Sequence, residues 1–276
     1  MSFVSDFFGH PVIQSGVAPF FAAFFVVLVL HRLKLGGLAL VAAFYMAAWL
    51  IGDLAFQPLT VARKIVLISL VTPLLGMCVD FMARGSPMWR VTLALLAAAA
   101  SIWVYWPVLA QKSLYEAALY GGGAALLMAW LISAMLPMDG APTRSAAAAL
   151  ALAVGTSLCA GYVGATLYGQ YAMAIASGAS AFLLWLMLTN RKWSAGAVLR
   201  LSAATLTGLL LCGLVLVAHL PWYAAAVLAL VPLAARLPAP QRAALPLQAA
   251  IASLYTFAIV AAAIYTLSEP WGPLSL

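Results

Sequence analysis

The sequence predicts an all-α fold, a polytopic membrane helix bundle of about ten transmembrane helices. Hydrophobic residues make up 67% of the 276 residues and charged residues only 7%, which is too little polar sequence to cover a soluble globule of this size. The charged residues also lie at the boundaries of apolar runs of about 20 residues, the length that crosses a bilayer as a helix. No stretch between these runs is long enough to fold alone, so residues 1–276 are predicted to form a single integral membrane domain.

The first half of the chain, residues 1–138, is predicted to hold five helices. The first apolar run follows Asp6 and precedes Arg32, and no Lys or Arg stands before it, so it is predicted to remain in the membrane rather than be cleaved as a signal peptide. The third run is the weakest, because Pro73 and Asp80 interrupt it. The predicted spans are 11–30, 35–52, 65–84, 91–110 and 115–137.

Residues 139–276 are predicted to hold five more helices, of which two pairs must be separated by turns. The run 145–190 would be about 69 Å long as one helix, more than twice the hydrocarbon thickness, and Gly169-Gln170 offers a break. The run 201–235 would be about 52 Å long, and Pro221 marks a turn in it. The predicted spans are 146–168, 171–189, 200–219, 222–238 and 246–267.

The loop around 137–144 divides the ten predicted helices into two groups of five. Because five is odd, the two halves would cross the membrane in opposite directions. This parity is typical of the inverted repeats of membrane transporters. The sequence therefore raises the hypothesis of a five-plus-five inverted repeat.

Basic residues predict the orientation, since cytoplasmic loops carry the excess of Lys and Arg. The loops after even-numbered helices hold only Arg63, Lys64 and Lys112. The prediction is an inner (cytoplasmic) membrane protein with both termini outside and the odd-numbered loops in the cytoplasm. The basic residues of those loops are Arg32, Lys34, Arg84, Arg90, Arg144, Arg191, Lys192, Arg200, Arg236 and Arg242.

Two carboxylates are candidate functional groups, because an ionisable residue close to the hydrocarbon is a functional hypothesis by default. Asp80 lies near the cytoplasmic end of the third predicted helix, four residues before Arg84. Glu116 begins the fifth helix, four residues after Lys112. The i,i+4 spacing allows each to form an interfacial ion pair. The alternative is that one carboxylate lines a cation or proton pathway.

Small residues mark two further candidates. Gly121, Gly122 and Gly123 fall inside the fifth apolar run and predict either a helix break beside a cavity or a close packing surface. In the sixth predicted helix, small residues recur every four positions and indicate tight packing, so the sixth and seventh helices are predicted to form a central hairpin. That stripe consists of Ser157, Gly161, Ala165 and Gly169.

No cofactor, metal or catalytic residue is predicted. His10 and His219 are poorly placed to ligate a haem, since His10 precedes the first helix and His219 falls in a turn. The three cysteines lie inside apolar runs without a CxxC pair, and there is no HExxH or GxSxG motif. The net charge of +7 is spread along the chain rather than gathered as a nucleic-acid-binding surface would need.

Three functions remain open. The first is a multi-pass permease for a small neutral or amphipathic solute. It is favoured by the helix count, the odd number of helices in each half and the absence of soluble domains. The second is a non-catalytic membrane subunit that packs against a partner protein or a second copy of itself, favoured by the scarcity of charge in the bilayer. The third and weakest is an enzyme that acts on a lipid-linked substrate at the outer face. The bilayer is the only partner common to all three.

Overall fold

A computed structural model describes residues 10–30, 32, 35–52, 57–82, 87–138, 140–238, 240 and 243–268. Within these ranges the chain is a helical bundle, and eight helices are long and apolar enough to cross a membrane. The first of them, α1, opens with a short π-helical segment. These helices are α1 (Ile13–Leu30), α3 (Val61–Met82), α4 (Pro87–Leu109), α5 (Leu114–Met135), α6 (Pro142–Tyr162), α7 (Thr166–Thr189), α8 (Gly196–Leu216) and α10 (Leu245–Ser268).

Two shorter apolar elements occupy the second and ninth predicted positions. Helix α2 (Leu38–Ile51) has 14 residues and is therefore about 21 Å long. The ninth element is divided into α9a (Trp222–Leu228) and α9b (Val231–Ala234). Pro232 at the start of α9b has no N–H to donate, which accounts for the break in the hydrogen-bonded ladder. The predicted turn at His219 is confirmed, since α8 ends at Leu216 and α9a begins after Pro221.

The turn between α6 and α7 lies earlier than predicted, at residues 163–165 rather than at Gly169-Gln170. Gly164 has a φ of 72°, which glycine adopts without steric cost. The N–H of Ala165 donates to the carbonyl of Ala160 at 2.8 Å, and the N–H of Gly164 donates to the carbonyl of Gly161 at 3.2 Å. These bonds form a Schellman motif, which ends α6 at Tyr162.

Helix α8 is the centre of the bundle. Its most apolar stretch is 94% buried, against 67% for α6 and 56% for α7. The predicted hairpin of α6 and α7 is confirmed, and these two helices pack against each other more extensively than any other pair. The hairpin is nevertheless not the central element, because α3, α5 and α6 all pack around α8.

The ends of α3, α5 and α7 meet the starts of α8 and α10 at one end of the bundle, together with Arg236 after α9b, and we call this the basic end. Four hydrogen bonds between a side chain and the backbone connect the chain there. Arg200 donates to the carbonyl of Leu136 and Arg236 to that of Ala134, while Asp80 accepts from the N–H of Ala197 and Asn190 from the N–H of Leu245. The opposite end is connected separately, by bonds from Gln14 to Leu50, Lys64 to Trp103 and Tyr162 to Leu267. The elements therefore alternate in direction as the sequence predicted.

Candidate functional site at the central helix

The first turn of α8 is buried and needs hydrogen-bond acceptors from elsewhere. Ala195 stands at the N-cap position and has no side chain that can accept a hydrogen bond from the helix. The first N–H groups of a helix have no partner within it, and leaving them unpaired in a buried position is costly. The N–H of Gly196 donates to Ser194 Oγ at 3.2 Å, and the N–H of Ala197 donates to a side chain of α3.

That side chain is Asp80. Its two carboxylate oxygens accept from the N–H of Ala197 at 2.8 and 2.7 Å, across 117 residues of sequence. A carboxylate at a helix N-terminus also interacts favourably with the helix dipole. Asp80 therefore caps the central helix. Arg84, its predicted ion-pair partner, lies outside the described residues, so the structure gives Asp80 a role that i,i+4 spacing did not indicate.

Close contact between backbones brings Asp80 within reach of α8. Gly76 lies one turn before Asp80 on α3, and a Cβ atom there would lie 2.6 Å from the Cα of Val198. Gly37, just before α2, approaches the same turn, where a Cβ atom would lie 2.6 Å from the backbone nitrogen of Leu199. No larger residue fits at either position without moving the backbone of α8.

Arg200 connects the same end of α8 to α5. Its side chain is buried, with 3% exposed, and Nε donates to the carbonyl of Gly196 at 3.1 Å. A terminal nitrogen donates to the carbonyl of Leu136, just after the last turn of α5. Arg236 donates to the carbonyl of Ala134 in the same turn. Both arginines thus satisfy carbonyl groups that the end of a helix leaves unpaired.

A cluster of hydroxyl groups lies about halfway along α3, where α3 meets α2 and α8. We call Tyr45, Ser69, Thr72 and Ser202 the hydroxyl cluster. Ser69 Oγ lies 2.9 Å from the Tyr45 hydroxyl, which donates to the carbonyl of Val66 at 3.0 Å. Ser202 Oγ lies 3.4 Å from Thr72 Oγ1. Ser69, Thr72 and Ser202 are all buried in the conformation seen here.

Pro73 explains why polar groups gather at this depth. Proline has no N–H, so the carbonyl of Ser69, four residues earlier, loses its helical partner. Thr72 Oγ1 lies 3.4 Å from that carbonyl and donates to it. The helix ladder of α3 is thus interrupted on a buried face. At this point on α3, hydroxyl groups and a backbone carbonyl, which carry no net charge, can bind a neutral polar group.

At the opposite end of α3, Lys64 is buried, with 8% exposed. Its ammonium group donates to the carbonyl of Trp103 at 3.0 Å and lies 4.9 Å from the centre of that residue's ring. The ring face attracts a cation, which offsets part of the cost of burying the charge. Asp80 and Lys64 therefore lie at the two ends of α3, with the hydroxyl cluster between them.

The helix break predicted at Gly121, Gly122 and Gly123 is not formed, because α5 runs unbroken from Leu114 to Met135. Three glycines weaken a helix by about 1 kcal/mol each relative to alanine. An unpaired backbone group in lipid costs several kcal/mol, so continuing the helix is favoured. Gly121 is buried against Leu109, whereas Gly122 and Gly123 are exposed and have no neighbouring atom where a Cβ would stand.

Lys112 and Glu116, the predicted ion pair, make no direct contact in the structure. Glu116 instead forms a capping box with Ser113, whose N–H donates to the carboxylate at 3.2 Å while Ser113 Oγ accepts from the N–H of Glu116 at 3.3 Å. Lys112 lies before the helix, so i,i+4 spacing does not place it on the face of Glu116. Its ammonium group instead lies 4.6 Å from the centre of the Tyr120 ring.

The predicted small-residue stripe is divided by the early end of α6. Ser157 Oγ donates to the carbonyl of Gly169 at 3.0 Å, so the two ends of the stripe meet across the α6–α7 hairpin. Gly161 is exposed and has open space beside it, and Ala165 lies in the turn. The stripe therefore does not form one continuous helix face.

The burial of Arg200 and Lys64 was not predicted from the sequence, and neither was the hydroxyl cluster. Hydroxyl side chains spaced at 69 and 72, next to Pro73, are the signal that could have identified the cluster. No group of three or more His, Cys, Asp or Glu side chains within the described residues could hold a metal ion. No protein-family model and no curated protein sequence matches the chain.

Proposed function

We propose that this protein is a permease for a small neutral or amphipathic solute, which passes along the contact between α3 and α8. The hydroxyl cluster carries the proposal. It places hydroxyl groups and a carbonyl without a helical partner about halfway along α3, between charged groups that lie near the ends of that helix. Hydroxyls and carbonyls bind neutral polar solutes without the desolvation cost of an ion pair.

The arrangement of helices supports a transporter with two related halves. In each half the first two helices pack together, as do the last two, in the pairs α1–α2, α4–α5, α6–α7 and α9–α10. The third helices of the halves, α3 and α8, pack against each other. Transporters with inverted repeats bind their substrate near the bilayer midplane at the interface between repeats. On this proposal all ten elements cross the membrane, with both termini outside the inner membrane.

The divided ninth element agrees with the same proposal. The carbonyl of Ala229, between α9a and α9b, accepts a hydrogen bond from the indole N–H of Trp130 at 2.8 Å. Irregular backbone at membrane depth is tolerated where protein or a cavity provides partners, and transporters use such broken helices to form their sites. The conformation described here has the hydroxyl cluster closed, so transport requires α3 and α8 to separate at that level.

The test begins with identification of a solute by thermal stabilisation. Purified protein in mild detergent is screened against neutral and amphipathic solutes, since a ligand present at 100 times its Kd stabilises the folded state by about 2.7 kcal/mol. A stabilising solute is then followed in counterflow with reconstituted liposomes. Thr72→Val and Ser202→Ala each remove a hydroxyl from the cluster. We expect a loss of about two- to tenfold in affinity for each change.

Thr256→Val is the matched control. Thr256 is a buried threonine on α10 whose hydroxyl bonds only to carbonyls of its own helix, at 3.0 Å each. Thr256→Val removes one buried threonine hydroxyl, as Thr72→Val does, but leaves the α3–α8 contact unchanged. Transport should therefore be retained in the control variant. An equal loss in Thr72→Val and Thr256→Val would refute the assignment of the pathway to the hydroxyl cluster.

A second candidate function, as a subunit of a membrane assembly, is favoured by one observation. Gly122 and Gly123 lie on an exposed face of α5, with open space around both. Small residues on a membrane helix allow a second helix to approach closely. Purification in mild detergent discriminates between the candidates. A stoichiometric partner that co-elutes, and is lost on Gly122→Leu, favours the subunit, whereas a lone monomer with solute-dependent stability favours the permease.

A further inference from the structure

A polar cavity of about 190 Å³ lies at the basic end of the bundle, beside the N-terminus of α6. Two of its lining residues are the cations Arg144 and Lys192, and Gln248 of α10 supplies a third polar side chain. The cavity is smaller than the roughly 300–1,000 Å³ of a site for a whole drug-sized ligand. Its size suits a single charged group rather than a large solute.

The first N–H groups of α6 have no acceptor among the described residues. Pro142 is the first residue of the helix, and Ala141 before it makes no side-chain cap. The N–H groups of Thr143 and Arg144 make no hydrogen bond in the described part of the chain. Backbone N–H groups and the positive end of the dipole make a helix N-terminus suitable for an anion.

Thr143 gives a second, independent indication of a ligand. This residue lines the cavity and is only 4% exposed. Its hydroxyl makes no hydrogen bond to any described residue, and the Arg144 guanidinium likewise has no partner among them. The hydroxyl oxygen itself is not enclosed by protein atoms, so it opens into the cavity and is accessible to a ligand there. A bound oxyanion would accept from Thr143 Oγ1, from Arg144 and Lys192, and from the N–H groups of the first turn.

We propose that this cavity binds a phosphate group, either as the headgroup of an anionic phospholipid or as a free phosphate. Phosphate offers several acceptor oxygens and matches donors that converge from a helix N-terminus and two cations. The cavity lies at the end of the bundle where most of the described Lys and Arg residues are found. Basic pockets between membrane helices on the cytoplasmic side bind phospholipid headgroups in this way. The proposal does not depend on the transported solute.

The experiment measures the thermal stability of the purified full-length protein in a neutral detergent during titration. One arm adds phosphatidylglycerol, a second adds phosphatidylcholine and a third adds inorganic phosphate at constant ionic strength. Variants Arg144→Gln and Lys192→Gln remove the cations, and Thr143→Val removes the hydroxyl while retaining the shape. Arg191→Gln is the matched control, because Arg191 is an exposed cation next to Lys192 that does not line the cavity.

We expect phosphatidylglycerol to stabilise the wild type at lower concentrations than phosphatidylcholine does. The apparent affinity should fall by about tenfold for each cation removed and should not change in Arg191→Gln. Stabilisation by inorganic phosphate with the same dependence on Arg144 and Thr143 would support the site with free phosphate as its source. No stabilisation by either anion, or an equal loss of affinity in Arg191→Gln, would overturn the proposal.

Discussion

Replacement of Asp80 tests whether this carboxylate is a structural cap of the central helix. In Asp80→Ala the N–H of Ala197 loses its acceptor within a buried first turn. Loss of a capping side chain costs about 0.5–2 kcal/mol, and loss of the charge at the helix N-terminus adds about 0.3–1 kcal/mol. We therefore expect Asp80→Ala to lower the free energy of unfolding by about 1–3 kcal/mol.

Asp80→Asn should be milder, because an amide oxygen can still accept from the N–H of Ala197. Asparagine is as good an N-cap as aspartate, so only the charge term is lost, about 0.3–1 kcal/mol. Arg84→Gln should cost no more than an exposed ion pair is worth, about 0–1 kcal/mol. The free energy of unfolding of each variant is measured by denaturant titration in mixed micelles. We expect it to be lowest for Asp80→Ala, intermediate for Asp80→Asn and highest for the wild type.

Two results would refute this reasoning. If Asp80→Ala is as stable as the wild type, the carboxylate does not cap α8. If Arg84→Gln is as destabilised as Asp80→Ala, the main partner of Asp80 is the arginine that i,i+4 spacing suggested. A third result would change the role assigned to Asp80. If Asp80→Asn keeps its full stability but loses transport, the carboxylate belongs to the solute pathway.

Three other predictions concern Arg200, Gly122 and the topology of the chain. Arg200→Lys should lower the free energy of unfolding, measured by denaturant titration, by about 1–3 kcal/mol. The reason is that one ammonium group cannot reach the carbonyls of both Gly196 and Leu136. Gly122→Ala should leave thermal stability unchanged or raise it by up to about 1 kcal/mol, since the added methyl meets open space; a loss of stability would indicate a packed surface. Reporter fusions should place both termini outside, with cytoplasmic signals after Arg32, Arg90, Arg144, Arg191 and Arg242 and external signals after Asp53 and Lys112.

The positions of the helices could be predicted because they depend on local sequence. Apolar length and the placement of charges located nearly every element to within a few residues, and Pro221 correctly marked a turn. The boundary error at α6 was also local. Gly164, in the αL conformation, ends the helix, whereas the predicted break lay at Gly169-Gln170. In the same way Ser113 and Glu116 carry the S-x-x-E pattern of a capping box, which took precedence over the ion pair.

The site at the central helix could not be predicted because it depends on distant parts of the chain. The bond from Ala197 to Asp80 spans 117 residues, and the bond from Arg200 to Leu136 spans 64. Neither follows from spacing along one helix. The physical demand behind both bonds is nevertheless general, since buried helix ends need partners. Once α8 is known to be central, a carboxylate for its N–H groups and cations for the neighbouring carbonyls of α5 become expected features.

The two kinds of polar contact around α8 differ in strength, and this difference bears on how α3 and α8 could separate. At the basic end, Asp80 binds a backbone N–H at 2.7 and 2.8 Å, a short charge-assisted contact. In the hydroxyl cluster, Ser202 and Thr72 are 3.4 Å apart, a long contact between neutral groups. Breaking the neutral contact costs less than breaking the charged one. A rocking motion of α3 against α8 would therefore pivot at the basic end, where Gly76 allows the two backbones to lie in close contact. The two helices would separate first at the hydroxyl cluster.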